Sequence, residues 1–382
     1  SRGILVLFGP KSGAARASAR RGGNTAYPGA YFLGMPGTSR RTAARLLTSL
    51  PVTFAVLLTS ILAAGCASSG NLKRIEDLPV LPEEVGRDVV KFEVREETAP
   101  PAGVGAAASA GASGVKQVSR RRRSKKDFQF PDRRPRVDPI EVGEKAVYDI
   151  NYFGVNAGTF TLRVLPFKEI DGRKVYHVLG EARNSKVFGL FYSLHDTIET
   201  FIDYQSIAPH RFHVVLDETK QKRNSLELYD PGKGRSFFWN RWHHHKKGYV
   251  EIKDYFPMKP LSQDSLSALY FLRTVDLSGD AVVKFPVISE GRNWDATVSV
   301  VRREMLDTPM GRIPTIVLKP ETDYRGILKK EGETHFWVTD DARHLLVRLE
   351  AKVKIGTVVG VLRSFEPGSP EESEPPRGTV KR

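Results

Sequence analysis

Between Val142 and Phe365, short runs of β-branched and aromatic residues return every ten or so positions, each broken by Gly, Asp, Asn or Pro. A chain punctuated this way has little room for long helices and folds as short strands joined by turns. The clearest run is Leu345 to Ile355. There Leu345, Val347, Leu349, Ala351, Val353 and Ile355 alternate with Leu346, Arg348, Glu350, Lys352 and Lys354. That period of two sends one face to a core and the other to water. Phe160, Leu162 and Val164 repeat the pattern, as do Phe212, Val214 and Leu216. Asp171-Gly172 stands between two strand-like runs and predicts a tight hairpin, and Pro231-Gly232 predicts another turn. One segment departs from the pattern. In "LSQDSLSALYFLR", Leu266, Leu269, Tyr270 and Arg273 fall at helical spacing behind Ser262 or Asp264 as N-cap. The expected fold is therefore all-β with minor α: one curved antiparallel sheet over 141–366, a half-barrel or β-roll, with one covering helix.

The N-terminal third reads differently. Leu46 to Gly65 carries no charge and follows Arg40, Arg41 and Arg45. A basic stretch, an apolar core and small residues make the pattern of a secretory signal, although a run of about 20 residues could also span a bilayer. Its last residues, Leu62-Ala63-Ala64-Gly65-Cys66, contain the only cysteine of the chain. They resemble the lipobox of bacterial lipoproteins, which implies cleavage between Gly65 and Cys66 and acylation of the Cys66 thiol by chains such as palmitate. A nucleophilic role would need a His and a thiolate-favouring setting, which a Ser/Gly loop does not offer. A lone cysteine also excludes an intramolecular disulfide. The expected organisation is an overextended reading frame over 1–34, a signal peptide over 35–65 and a disordered tether over 66–140. The β-rich domain of 141–366 follows, then a disordered tail over 367–382.

A formal charge of +15 would ordinarily suggest nucleic acid as partner. Its placement argues otherwise. Residues 1–45 hold eight basic and no acidic side chains, and residues 120–136 hold nine basic and two acidic ones, so the remainder nets to zero. The 120–136 stretch reads as a solvated interaction arm for anionic headgroups or acidic envelope polymer, and no nucleic-acid partner is expected.

Four stretches together, "AVYDINYFGVNAGTFTLRV" (146–164), "SKVFGLFYSLHDTIETFID" (185–203), "QDSLSALYFLR" (263–273) and "HFWVTDDARHLLVRLEAKVKIGTVVGVL" (335–362), resemble the bacterial envelope family named domain of unknown function 3108. The likeness spans about 142–365. It implies export, often as a lipoprotein, and no established activity.

Chemistry is sparse. His243, His244 and His245 are consecutive, so on a strand they cannot converge on one ion; they read as an exposed hairpin tip, and no metal is expected. His195 and Asp196 point to opposite faces, and Asp340-Asp341 suits an Asx-type turn. No P-loop, Gly-x-Ser-x-Gly or dinucleotide fingerprint occurs, and neither catalytic residues nor cofactors are expected. Aromatic residues are the better lead. Phe188, Phe191, Tyr192, Trp239 and Trp337 are the candidates for an apolar groove, with "SKVFGLFYSL" as its lip. The expected function is that of a non-catalytic, lipid-anchored envelope protein, in the outer membrane and on its periplasmic side, binding lipid or an envelope partner. A ligand-free structural lipoprotein and a hydrolase of envelope polymer are the alternatives.

Overall fold

Asp171 and Gly172 both take positive φ, 52° and 69°, the geometry by which two residues reverse a right-twisted strand. Turns of this kind recur along the chain, and the strands between them pair with their sequence neighbours. The computed structural model describes residues 89–97, 128–324, 327–328, 334–353 and 356–369. Strand β1 (Arg95–Glu96) is an outlying piece. The body begins with β2 (Lys145–Tyr152), β3 (Val155–Ile170) and β4 (Arg173–Asn184). A one-turn helix, α1 (Lys186–Gly189), precedes β5 (Leu194–Asp203), β6 (Pro209–Glu218), β7 (Gln221–Asp230), β8 (Arg235–His244) and β9 (Gly248–Pro257). Helix α2 (Ser267–Arg273) then leads to β10 (Val282–Ser289), β11 (Arg292–Thr308) and β12 (Gly311–Tyr324). The last strands are β13 (Ile327–Leu328), β14 (Thr334–Thr339), β15 (Leu346–Lys352) and β16 (Thr357–Glu366).

These strands form one open antiparallel sheet in the order β10-β11-β12-β14-β15-β16-β2-β3-β4-β5-β6-β7-β8-β9, with β1 on β3 and β13 on β12. The sheet curls until its two margins meet through loops and side chains. Gln263 bridges Val287, accepting from Ile288 N–H and donating its own N–H to Pro286, both at 2.9 Å. The turn between β10 and β11 lands on β7, where the Glu227 carboxylate accepts from the backbone N–H groups of Glu290 and Gly291, each at 3.0 Å.

The expected alternation holds where the sheet is one-sided. Leu162, Val164, Phe212, Val214 and Leu216 are buried in the main core, and Phe160 packs against it. Helix α2 fills that core with Leu266, Tyr270, Phe271 and Leu272. Asp264 starts it, accepting from Leu266 and Ser267 N–H at 2.8 and 2.7 Å. Its last residue, Arg273, is fixed by the Glu144 carboxylate and the carbonyls of Pro139 and Arg343. On β4, β5, β7 and β8, Val175, Phe201, Leu226, Leu228, Phe237 and Trp239 point to the other face and form a second cluster, covered by Val89 and Phe92. The strand expected at Leu345 to Ile355 is shorter, and burial fades beyond Val347 as β15 reaches the edge of the core.

The tether expectation needs correction at two places. Residues 90–92 form a 3-10 turn and Arg95–Glu96 pair with Glu169 and Lys168, because Phe92 has a hydrophobic surface to cover. Residues 128–140 also pack onto the domain. Arg133 donates to the carbonyls of Ser206 and Ile207 at 2.6 and 3.1 Å and lies 4.9 Å from the Phe271 ring. Arg134 stacks 3.7 Å over Tyr204 and pairs with Asp138, and Phe130 lies 4.2 Å beneath Arg173. Two arginines counted as solvated charge are thus consumed by carbonyls and aromatic faces. Ser369, placed in the tail, bridges to Val142. Residues 1–88, including the signal segment, Gly65 and Cys66, and residues 98–127 lie outside the described residues. Among the described residues no helix is long and apolar enough to cross a membrane.

Candidate functional site

Successive antiparallel strands place alternate turns at one end of a sheet. Four such turns, β2–β3, β4–β5, β6–β7 and β8–β9, are stitched into one continuous rim. Ser185 N–H donates to Ala157 O at 2.9 Å, Thr219 N–H to Ser193 O at 3.0 Å, and His245 N–H to Lys220 O at 3.0 Å. The expected lip, "SKVFGLFYSL", is the longest of these four connections.

Its local fold follows from three small residues. Ser185 caps α1, its hydroxyl accepting from Phe188 N–H. Asn184 binds both flanks, donating to Ser185 O at 2.9 Å and accepting from Leu194 N–H at 2.8 Å. Gly189 is required beside it, since a Cβ there would come within 2.7 Å of the Asn184 amide. So held, the segment presents Val187, Leu190 and Phe191 to solvent at 64%, 79% and 68% exposure. Phe188 is half-buried and Tyr192 is buried. Phe153 and Val155, at the neighbouring β2–β3 tip, are exposed as well.

Beneath the lip lies a buried polar network. Tyr192 donates its hydroxyl to the Glu218 carboxylate, which also accepts from Gln221 Nε2 at 2.7 Å. Trp242 Nε1 donates to Gln221 Oε1 at 3.0 Å. Asp196, one strand away, accepts from Asp217 N–H at 3.1 Å and faces Glu218. Burial, reinforced by the Glu218 charge, pushes the Asp196 carboxyl up to about 9. Burial also raises Glu218, against the opposing donors Tyr192 and Gln221. Two buried carboxyls this close hold one proton between them. Both are nearly sealed from solvent, so the arrangement anchors Tyr192 and offers no cleft in which a paired-carboxylate hydrolysis could proceed.

The sequence model of the family described as "Protein of unknown function (DUF3108)" matches residues 147–363, more than half of the chain. The chain belongs to the DUF3108 family. No curated protein matches it. Among solved structures, the DUF3108 fold is similar to a β-barrel-like protein of domain of unknown function DUF1849 from Brucella abortus. That likeness has 12% identity and a TM-score of 0.40, covering 59% of this chain and 98% of the other. An exported protein with a YmcC-like fold from Bacteroides fragilis is similar at 11% identity and TM-score 0.28, covering 63% and 100%. A lipoprotein from Parabacteroides distasonis is similar at 11% identity and TM-score 0.27, with the same coverage.

Other candidate residues of this DUF3108 chain fall elsewhere. Trp239 sits in the second cluster and donates to Glu251 at 2.8 Å, whereas Trp337 sits in the main core and donates to Glu304 at 2.6 Å. Neither reaches the lip, so the five aromatic candidates do not line one groove; three of them, Phe188, Phe191 and Tyr192, share a segment. The His run does end at a hairpin, but only His245 and the lysines after it are exposed. His244 is buried against Trp242, and burial with the nearby His245 lowers its pKa to about 4. No three His, Cys, Asp or Glu side chains among the described residues are placed to hold a metal ion. His195 is exposed and Asp196 buried, on opposite faces as expected, and Asp341 accepts from Thr339 Oγ1 and Arg343 N–H in the expected turn. The Asp196–Glu218 pairing had no sequence signal: the two residues lie 22 positions apart, and only the β5–β6 register brings them together.

Proposed function

We propose that this chain is a non-catalytic, lipid-anchored protein of the cell envelope whose β domain engages lipid at the α1 lip. The observation that carries the reading is the lip itself. Three large apolar side chains stand in solvent on a segment that a buried Tyr192–Glu218–Gln221 chain holds rigid. An exposed apolar ridge on a fixed support is the mark of an interaction surface, since a soluble domain gains nothing from displaying it. Contact is expected at the rim, because α2 and the core fill the interior of the sheet. The anchor rests on the uncharged run and the Leu62 to Cys66 spelling; Ala67 stands where, in the enteric lipoproteins this stretch resembles, an Asp favours inner-membrane retention, and so favours the outer membrane, with the domain facing the periplasm.

Native mass spectrometry of chain extracted from membranes tests both parts. The expected result is a polypeptide beginning at an acylated Cys66 and carrying extractable lipid, with the lipid lost in a Leu190→Ser/Phe191→Ser variant. Wild-type protein free of lipid would leave the ligand-free structural reading in its place.

A further inference from the structure

The rim carries more than an apolar ridge. Its four turns, residues 153–157, 185–193, 219–220 and 245–248, contain no Asp or Glu and hold Lys186, Lys220, Lys246 and Lys247. The apolar half, Phe153, Val155, Val187, Leu190 and Phe191, is continuous with the basic half through the backbone bonds Thr219 to Ser193 and His245 to Lys220. Of the carboxyl groups beneath the rim, Asp196 and Glu218 are sealed from solvent and share a proton, and the partly exposed Asp217 is paired with Lys222, which removes part of the negative charge that would oppose an anionic partner.

We propose that this end of the sheet docks on the surface of an anionic phospholipid bilayer, with the α1 lip and the β2–β3 tip inserted among the acyl chains and the lysines on the headgroups. Apolar tips flanked by lysines, without acids, match both layers of such a surface. An acidic protein partner would account for the lysines but leave Leu190 and Phe191 without a counterpart. The inference rests on the lipid-engaging reading of the lip and names the form of the lipid: a membrane face, as opposed to a single extracted molecule. The 128–140 segment and the Asp171-Gly172 turn would then point away from the membrane, at the opposite end of the strands.

The test uses the full chain with an environment-sensitive fluorophore on Phe191→Cys, Cys66 being the only other cysteine, and a control label on Asp171→Cys. Both are read on phosphatidylcholine vesicles with and without phosphatidylglycerol, and with monomeric lysophosphatidylcholine. The proposal expects a blue shift at 191 on anionic vesicles only, reversed by salt, with 171 unchanged. Replacing Lys246 and Lys247 by Ala should lower the docked-to-undocked ratio by roughly 30-fold, about fivefold for each lysine. A shift with lysophosphatidylcholine but not with anionic vesicles overturns the docking and leaves the lip as a site for single lipids. No shift with any lipid overturns both, and equal shifts at 191 and 171 overturn the orientation.

Discussion

Replacing Asp196 by Asn should stabilise the protein, and by an amount that grows with pH. The asparagine side chain would keep both contacts, its carbonyl accepting from Asp217 N–H and its amide donating to Glu218. What it removes is the cost of protonation. An aspartate with an ordinary value of 3.8, raised to about 9 on folding, takes up a proton that the unfolded chain does not bind. At about pH 7 that costs about 1.4 kcal/mol for each unit above the ordinary value, on the order of 4 kcal/mol. Because the proton is shared with Glu218, a gain of about 2 kcal/mol or more is the working expectation. The direction follows from the raised value: the contribution of this carboxyl to wild-type stability is complete below about pH 4 and is lost as pH rises towards about 9. Urea unfolding followed by tryptophan fluorescence across that range should give curves for wild type and variant that meet at the acidic end and then diverge. A difference that is constant with pH, or a variant less stable than wild type at about pH 8, would refute the shared-proton argument.

Two further predictions concern packing. Glu144→Ala should destabilise by about 3–5 kcal/mol, because it strands a buried Arg273, and Arg273→Met in the same chain should recover much of that loss; a urea double-mutant cycle showing simple additivity would contradict the pairing. Gly291→Ala should cost about 2 kcal/mol or more, since Gly291 has φ +72° and a Cβ there would sit 2.4 Å from the Phe256 ring. Adding Phe256→Ala should lessen the penalty of the Gly291 substitution, measured against Phe256→Ala alone in the same unfolding assay.

The architecture was legible because its signals are local. Period-two alternation, the Asp171-Gly172 hairpin and the α2 spacing each depend on residues within one element, and each appears in the fold. The turn over 185–193 was legible for a related reason: its aromatic and small residues stand consecutively between two strands. Trp239 and Trp337 show where such reading stops. A tryptophan's type says that it will be buried, but which face it joins depends on strand parity and on what covers that face, and Trp239 is covered from Val89 and Phe92 far upstream. Composition also misled over residues 128–136, where a basic run looked solvated. Two of its arginines, Arg133 and Arg134, found the carbonyls of the 204–208 turn and the rings of Tyr204 and Phe271, which only the folded chain brings within reach. Asp196 and Glu218 are the same case in polar form, separate in sequence and adjoining across the sheet.

The mass of the chain and of whatever travels with it, recorded on native protein extracted from membranes, tests the central claim most directly. An N-terminus at acylated Cys66 with bound lipid that Leu190→Ser/Phe191→Ser abolishes is the predicted result. A chain that still carries residues 40–65 with an unmodified thiol, and releases no lipid, would contradict it.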